Sequence, residues 1–85
     1  MNRLDVAVLM GSASDWPALR PAVEVLRAHG LAFEVHVTSA HRTPERTVEL
    51  VRRAEAAGVS AFICAAGMAA HLAGAVAALT TRPVL

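Results

Sequence analysis

Three short apolar runs alternate along this chain with three segments of helical periodicity, and this alternation constrains the fold more than any other feature. The apolar runs cover residues 4–10, 33–37 and 59–65, and each has the length of a strand. Capping residues, prolines and the spacing of apolar residues predict three helices. The first runs from about residue 15 to Gly30 and the second over residues 44–57. The third lies between the small-residue segment after residue 65 and about Thr80. Such alternation predicts an α/β domain with a parallel sheet and right-handed crossovers. Residues 82–85 are typical of the opening of a fourth strand.

The composition limits the class of protein and of partner. With 85 residues the chain forms at most one small domain with a marginal core, and 55% hydrophobic against 18% charged residues excludes a disordered segment. The net charge is +1, and the eight basic residues, all arginine, are scattered. With one Trp, two Phe and no Tyr there is no base-stacking surface either, so we expect no nucleic-acid partner.

One segment is nearly long enough to cross a membrane. Residues 61–79 contain only His71 as a strongly polar residue, but their bulky members fall on one helical stripe, as in a helix that packs on a sheet. We therefore expect no membrane association, and the first residues do not resemble a secretory signal. Cys64 is the only cysteine and lies in an apolar run, which predicts a buried, unreactive thiol and a cytoplasmic location.

A polar island follows each predicted strand. These islands are residues 11–15, 39–44 and 66–74. In open parallel sheets ligands bind beyond the carboxyl ends of the strands, so this topology brings Asp15, His41 and His71 to one edge.

The first two islands have groups suited to an anionic ligand. In the run from Gly11 to Asp15, helix-start N–H groups and hydroxyls can bind phosphate and the carboxylate can accept from sugar hydroxyls; the alternative is an ordinary turn with a helix cap. His41 beside Arg42 combines a proton donor with an anion clamp. The alternative is that His41 caps a carbonyl and Arg42 forms a surface ion pair.

The third island contains small residues that let a flat ligand approach, and its His71 is either a ligand contact or a core histidine. His29, at a helix end, and His36, on a strand, are predicted to be structural, with His36 exposed. No spacing of His, Cys or carboxylates predicts a metal site.

Taken together, the islands resemble a known family. Gly-Ser-x-Ser-Asp at 11–15, Ser-Ala-His-Arg-Thr-Pro at 39–44 and Ala-Gly-x-Ala-Ala-His-Leu-x-Gly at 66–74 are similar to motifs of the aminoimidazole ribonucleotide carboxylases of purine synthesis, in particular the bacterial mutase type. The resemblance covers the whole chain in order and spacing. It implies a three-layer, flavodoxin-like sandwich, a homo-octamer and an enzyme without metal, ATP or organic cofactor.

The resemblance also implies a reaction and residue roles. The reaction is isomerisation of N5-carboxyaminoimidazole ribonucleotide to 4-carboxy-5-aminoimidazole ribonucleotide by decarboxylation and recarboxylation. His41 would transfer protons as general acid and base, and the remaining implied substrate-binding residues are Ser12, Asp15, Ser39, Ala40, Arg42, Gly67, His71 and Leu72. Of these, Ser12, Ser39 and Arg42 would hold the phosphate, and Asp15 the ribose hydroxyls. The segment from Gly67 to Leu72 would line the pocket for carbon dioxide, with His71 close by.

Two departures from the family pattern lead to further expectations. Ala73 stands where the family usually has proline, so the third helix is expected to start with a looser geometry. Family chains continue well beyond residue 85, so residues 1–85 are expected to be the amino-terminal part of a single domain, with an incomplete sheet and little activity alone. The competing hypothesis is a noncatalytic module that binds nucleoside monophosphates or assembles with a second polypeptide.

Overall fold

A computed structural model describes residues 3–66 and 71–85 of the chain. The elements are β1 (Val6–Met10), α1 (Trp16–Ala28), β2 (Phe33–Val37), α2 (Pro44–Ala56), β3 (Ala61–Ala65) and α3 (Leu72–Ala77), with a 3₁₀ turn over Ala13–Asp15. This order confirms the predicted alternation of strands and helices. Within the described ranges, none of the helices has the length and apolar character needed to cross a bilayer.

The three strands form one parallel sheet in the order β2-β1-β3. Val8, at the centre of β1, stands between Val35 of β2 and Ile63 of β3. The predicted fourth strand appears as a single parallel bridge between Val84 and Phe62. The carboxyl ends of all three strands therefore lie at the same edge.

The side chains of β1 alternate between two apolar layers. One layer contains Ala7 and Leu9, packed with buried residues of α2 and α3 such as Val51 and Val76. The other contains Val6, Val8 and Met10, packed with the α1 stripe Leu19, Val23 and Leu26. Because helices cover both faces, every residue of β1 is buried, as its continuous apolar run predicted.

The helices end close to the predicted positions. Gly30 and Gly58 have φ values of 69° and 81°, a left-handed conformation that glycine adopts without strain and that ends α1 and α2. Pro17 lies in the first turn of α1, and the helix continues through Pro21.

Three element boundaries differ from the prediction. β1 and β3 begin two residues later than expected because the N–H groups of Leu4 and Val59 bond to carbonyls at the end of α2, those of Ala57 and Ala54, instead of to a strand. α3 ends at Ala77 and not near Thr80. The Thr80 hydroxyl instead donates to Glu55 Oε2 at 2.7 Å and accepts from the Arg82 N–H, which directs the chain out of the helix and toward the bridge at Val84.

Candidate functional site

A cavity of about 240 Å³ opens at the carboxyl ends of the strands. Its walls come from three separate segments, those that follow β1, β2 and β3, and from the first residue of α3. The lining residues are Gly11, Ser12, Ser14, Asp15, Ser39, Ala40, His41, Ala66 and Leu72. The structure thus brings the polar islands together at the edge where the topological rule predicts a ligand.

The first wall is held by reciprocal hydrogen bonds within the 3₁₀ turn. The Ser12 N–H donates to Asp15 Oδ2 at 3.0 Å, and the Ser14 N–H donates to Ser12 Oγ at 3.2 Å. This is a capping box, in which two free N–H groups are satisfied by side chains. Asp15 also occupies the N-cap position of α1, but its carboxylate makes no hydrogen bond to that helix, so it stabilises the 3₁₀ turn and does not cap α1. The turn places both its hydroxyls and its carboxylate on the cavity wall.

Gly11 connects the first wall to the third. Its N–H donates to the Ala65 carbonyl at 2.9 Å. A Cβ at this position would lie 3.4 Å from Ala66 Cβ and 3.9 Å from Asp15 Oδ2, both of which are atoms of lining residues. The absence of a side chain therefore keeps the floor of the cavity open.

The second wall is the loop that carries the histidine and arginine. The Arg42 N–H donates to Ser39 Oγ at 3.0 Å, and the Thr43 N–H donates to the Ser39 carbonyl at 2.9 Å. Ser39, Ala40 and His41 line the cavity, whereas Arg42 is exposed and is not among the lining residues. Within the described ranges, the side chains of His41 and Arg42 form no hydrogen bond or ion pair. Neither a carbonyl cap by His41 nor a surface ion pair of Arg42 is therefore observed there.

The third wall is only partly described. Leu72, at the start of α3, is 1% exposed and lines the cavity together with Ala66. His71 is exposed at the N-cap position of α3 and is not a lining residue. Its Nδ1 lies 3.4 Å from where a Cβ on Gly74 would stand. The predicted role of Gly67 lies outside the described residues.

Some features of the site were missed from the sequence. Ser14 and Ala66 line the cavity and belong to the polar islands, so their position in those islands was the available signal. Thr47 is buried on the stripe that it shares with Leu50, Val51 and Ala54, and a threonine on an otherwise apolar stripe marks a buried hydroxyl. That hydroxyl contacts Thr38, as described below.

The other titratable groups lie outside this cavity. His29 Nδ1 is 2.9 Å from the Val25 carbonyl oxygen at the end of α1. His36 was predicted to be exposed but is half-buried, because its Nε2 lies 3.0 Å from Glu34 Oε1 along the edge strand. Burial raises the pKa of the half-buried Cys64 thiol to about 11, which agrees with an unreactive cysteine. No cluster of three metal-ligating residues occurs in the part of the chain that the structure describes.

A larger depression of about 560 Å³ runs along α2. Its lining consists only of residues 45–56 of that helix, namely Glu45, Val48, Glu49, Arg52, Arg53 and Ala56. A single helix face provides no convergent groups from other segments. The smaller cavity at the strand ends is therefore the candidate site.

Comparison with known proteins gives consistent matches. The family model "AIR carboxylase" matches residues 5–85. A relative from Saccharolobus solfataricus, named N5-carboxyaminoimidazole ribonucleotide mutase, is 50% identical over 80 residues, which are 94% of this chain and 51% of the relative. The mutase of the same name from Brucella melitensis is 47% identical over 81 residues, 95% of this chain and 50% of the relative.

A solved structure shows the same arrangement of the backbone. The crystal structure of Treponema denticola PurE matches with a TM-score of 0.88 and 28% identity, over 98% of this chain and 53% of that one. The chain thus spans about half the length of these relatives. The matched residues include both described polar islands and all three strands, and the chain belongs to the AIR carboxylase family.

Proposed function

We propose that this chain provides the substrate-binding edge of an N5-carboxyaminoimidazole ribonucleotide mutase in purine biosynthesis. The substrate would lie in the cavity at the carboxyl ends of the strands. The single observation that carries this proposal is the convergence of the islands after β1 and β2 on one cavity, in a chain of this family. The proposal includes assembly with further copies of the chain, as the family resemblance implies, and a cytoplasmic location, as the single cysteine predicts.

The two described polar walls suit the two polar parts of a ribonucleotide. Ser39 Oγ accepts from the Arg42 N–H and retains its own O–H as a donor toward a phosphate oxygen. Ser12, whose Oγ lies 3.0 Å from Ser14 Oγ, would offer a second hydroxyl from the first wall, and the exposed Arg42 would reach the phosphate from outside. Asp15 uses one carboxylate oxygen in the capping box, which leaves the other to accept from the ribose hydroxyls.

His41 lines the cavity, and its imidazole would move the protons. In the first half of the reaction the N–C bond of the carbamate breaks, carbon dioxide is released, and the exocyclic nitrogen takes the proton of the imidazolium. In the second half the ring carbon attacks carbon dioxide, forming the C–C bond, and the neutral imidazole removes the proton from that carbon. One histidine thus returns to its starting protonation state, and the substrate and product are isomers.

The apolar part of the cavity would hold the carbon dioxide. Leu72 and Ala66 line it, and together with the segment from Gly67 they would exclude water from the intermediate. His71, at the start of α3, would contact the carboxylate from the rim.

Binding and turnover test the proposal separately. The purified chain is first titrated with 4-carboxy-5-aminoimidazole ribonucleotide while the amide resonances are followed by NMR. We expect shifts confined to residues 11–15 and 39–42 and to the start of α3. Shifts along α2 instead, or none at millimolar ligand, would refute the proposed site.

Turnover is measured after joining the chain to the carboxyl-terminal half of the Saccharolobus solfataricus relative, because the chain matches only half of that protein. His41→Asn should lower the conversion rate by about 10²- to 10⁴-fold, since asparagine cannot carry the proton. His36→Asn is the matched control and should leave the rate unchanged, because His36 contacts Glu34 and not the cavity. Ligand binding without conversion in the joined protein would favour the noncatalytic module.

A further inference from the structure

Three threonines connect the buried face of α2 to the loop that carries His41. We propose that Thr38, Thr43 and Thr47, here called the threonine chain, are positioning residues that hold this loop against the cavity. The role in catalysis rests on the proposed function, whereas the role in holding the loop does not.

The threonine chain begins in the core. Thr38 and Thr47 are each 2% exposed, and they are the only buried polar residues among those that the structure describes. Their Oγ1 atoms are 2.8 Å apart, a short hydrogen bond between two hydroxyls that water does not reach. Thr38 is tied to the sheet in turn, because its N–H donates to the Met10 carbonyl at 2.8 Å.

The number of available protons sets the direction of the hydrogen bonds. The Thr47 hydroxyl donates to the Thr43 carbonyl at 3.3 Å, because a carbonyl can only accept. Since each hydroxyl has one proton, Thr38 is the donor to Thr47 whenever the Thr47 proton is directed at this carbonyl. By the same reasoning the Thr43 hydroxyl donates to the Ser39 carbonyl at 3.1 Å.

The hydrogen bonds of Thr43 and Ser39 fix both ends of the loop that carries His41. Thr43 Oγ1 also accepts from the Ser39 N–H at 3.1 Å, so the side chain of Thr43 bonds both backbone groups of Ser39. Ser39 Oγ then accepts from the Arg42 N–H. His41 lies between these bonded residues, and its position on the cavity wall depends on them. A hydrogen-bonded path therefore runs from the sheet to the loop.

Packing alone does not require this path. Valine has nearly the volume of threonine, so a pair of valines would fill the same space between β2 and α2 without a hydroxyl. Hydroxyls are directional, and a satisfied buried network fixes one arrangement of the groups that it joins. The threonine chain is therefore suited to orienting a loop, in addition to filling the core.

Hydrogen exchange tests the loop directly on the 85-residue chain. In the double variant Thr38→Val/Thr47→Val, exchange of the Arg42 and Ser39 amides should become about tenfold faster, while Thr47→Ser should exchange like the unmodified chain. Thr80→Val is the matched control, because it removes a hydroxyl hydrogen bond to Glu55 away from this loop. It should leave exchange at Arg42 unchanged. Equal Arg42 exchange in the double variant and the unmodified chain would overturn the inference.

Ligand affinity tests the consequence for the site. The dissociation constant for 4-carboxy-5-aminoimidazole ribonucleotide should rise about five- to tenfold in the double variant and return to its original value in Thr47→Ser. An unchanged dissociation constant, together with faster loop exchange, would refute the positioning role. If the unmodified chain binds none of this ligand, the proposed function fails, and the exchange measurement still decides whether the threonine chain holds the loop.

Discussion

Removing both buried hydroxyls of the threonine chain should cost less stability than removing that of Thr47 alone. Thr38 and Thr47 share a 2.8 Å hydrogen bond, and both are 2% exposed. In Thr47→Val the Thr38 hydroxyl loses its acceptor. The nearest alternative acceptor is Thr43 Oγ1 at 3.4 Å, which already accepts from the Ser39 N–H, so a hydrogen bond to it is weak.

The magnitudes follow from what each variant leaves unsatisfied. Thr47→Val loses the hydrogen bonds of this hydroxyl to Thr38 and to the Thr43 carbonyl and leaves Thr38 as a buried donor, which costs about 2 kcal/mol. Thr38→Val leaves Thr47 able to donate to the Thr43 carbonyl, so it should cost about 1 kcal/mol. The double variant removes both partners, leaves no orphaned hydroxyl and should cost about 0–1 kcal/mol. The coupling between the two sites is therefore about 2–3 kcal/mol.

Urea unfolding followed by far-UV circular dichroism measures the unfolding free energies of this double-mutant cycle. For a domain of 85 residues, whose total stability is about 4–13 kcal/mol, differences of this size are resolved. Thr47→Ser is the control that keeps the hydroxyl. If the losses of the two single variants simply add in the double variant, within about 0.5 kcal/mol, the hydrogen-bond account of this pair is wrong.

Two further predictions concern the thiol and the first wall of the cavity. Burial raises the pKa of Cys64 from about 9 to about 11, so its alkylation by iodoacetamide at pH 8 should be about a hundredfold slower than in the urea-unfolded chain. The rate should rise about tenfold per pH unit up to about pH 11, and equal rates in the folded and unfolded chains at pH 8 would contradict this. Asp15→Ala removes the acceptor of the Ser12 N–H and should lower the unfolding free energy by about 1 kcal/mol, whereas Asp15→Asn keeps an acceptor oxygen and should lower it less. Equal losses for the two variants in urea titrations would show that the capping bond contributes nothing.

The order of elements was predictable because each depends on local pattern. The run from Val6 to Met10 is apolar at every position, which is typical of a short strand covered on both faces, and all five residues are buried. The ends of α1 and α2 were predictable from Gly30 and Gly58, which have the positive φ that ends a helix. The strand starts were less accurate, because the N–H groups of Leu4 and Val59 bond to the end of α2, which no local pattern specifies.

The candidate site was predictable in part. Asp15, His41 and His71 were expected at one edge because they follow parallel strands; Asp15 and His41 line one cavity, whereas His71 is not a lining residue. The exposure of Arg42 and His71 was not predicted, since the direction of a side chain in a loop depends on hydrogen bonds made across it. The half-buried state of His36 depends similarly on Glu34, its neighbour on the same face of the edge strand.

The spacing of apolar residues and the positions of glycine and proline by themselves determined a parallel α/β sheet with polar groups after each strand. They could do so because strands, helices and their ends depend mainly on neighbouring residues. Only the tertiary structure decided which of those polar groups share a cavity and how the loop of His41 is held. The bond between Thr38 and Thr47 spans nine positions from a strand end to a helix face. Contacts of that kind form only when β2 and α2 pack together, since packing sets the distance between their side chains.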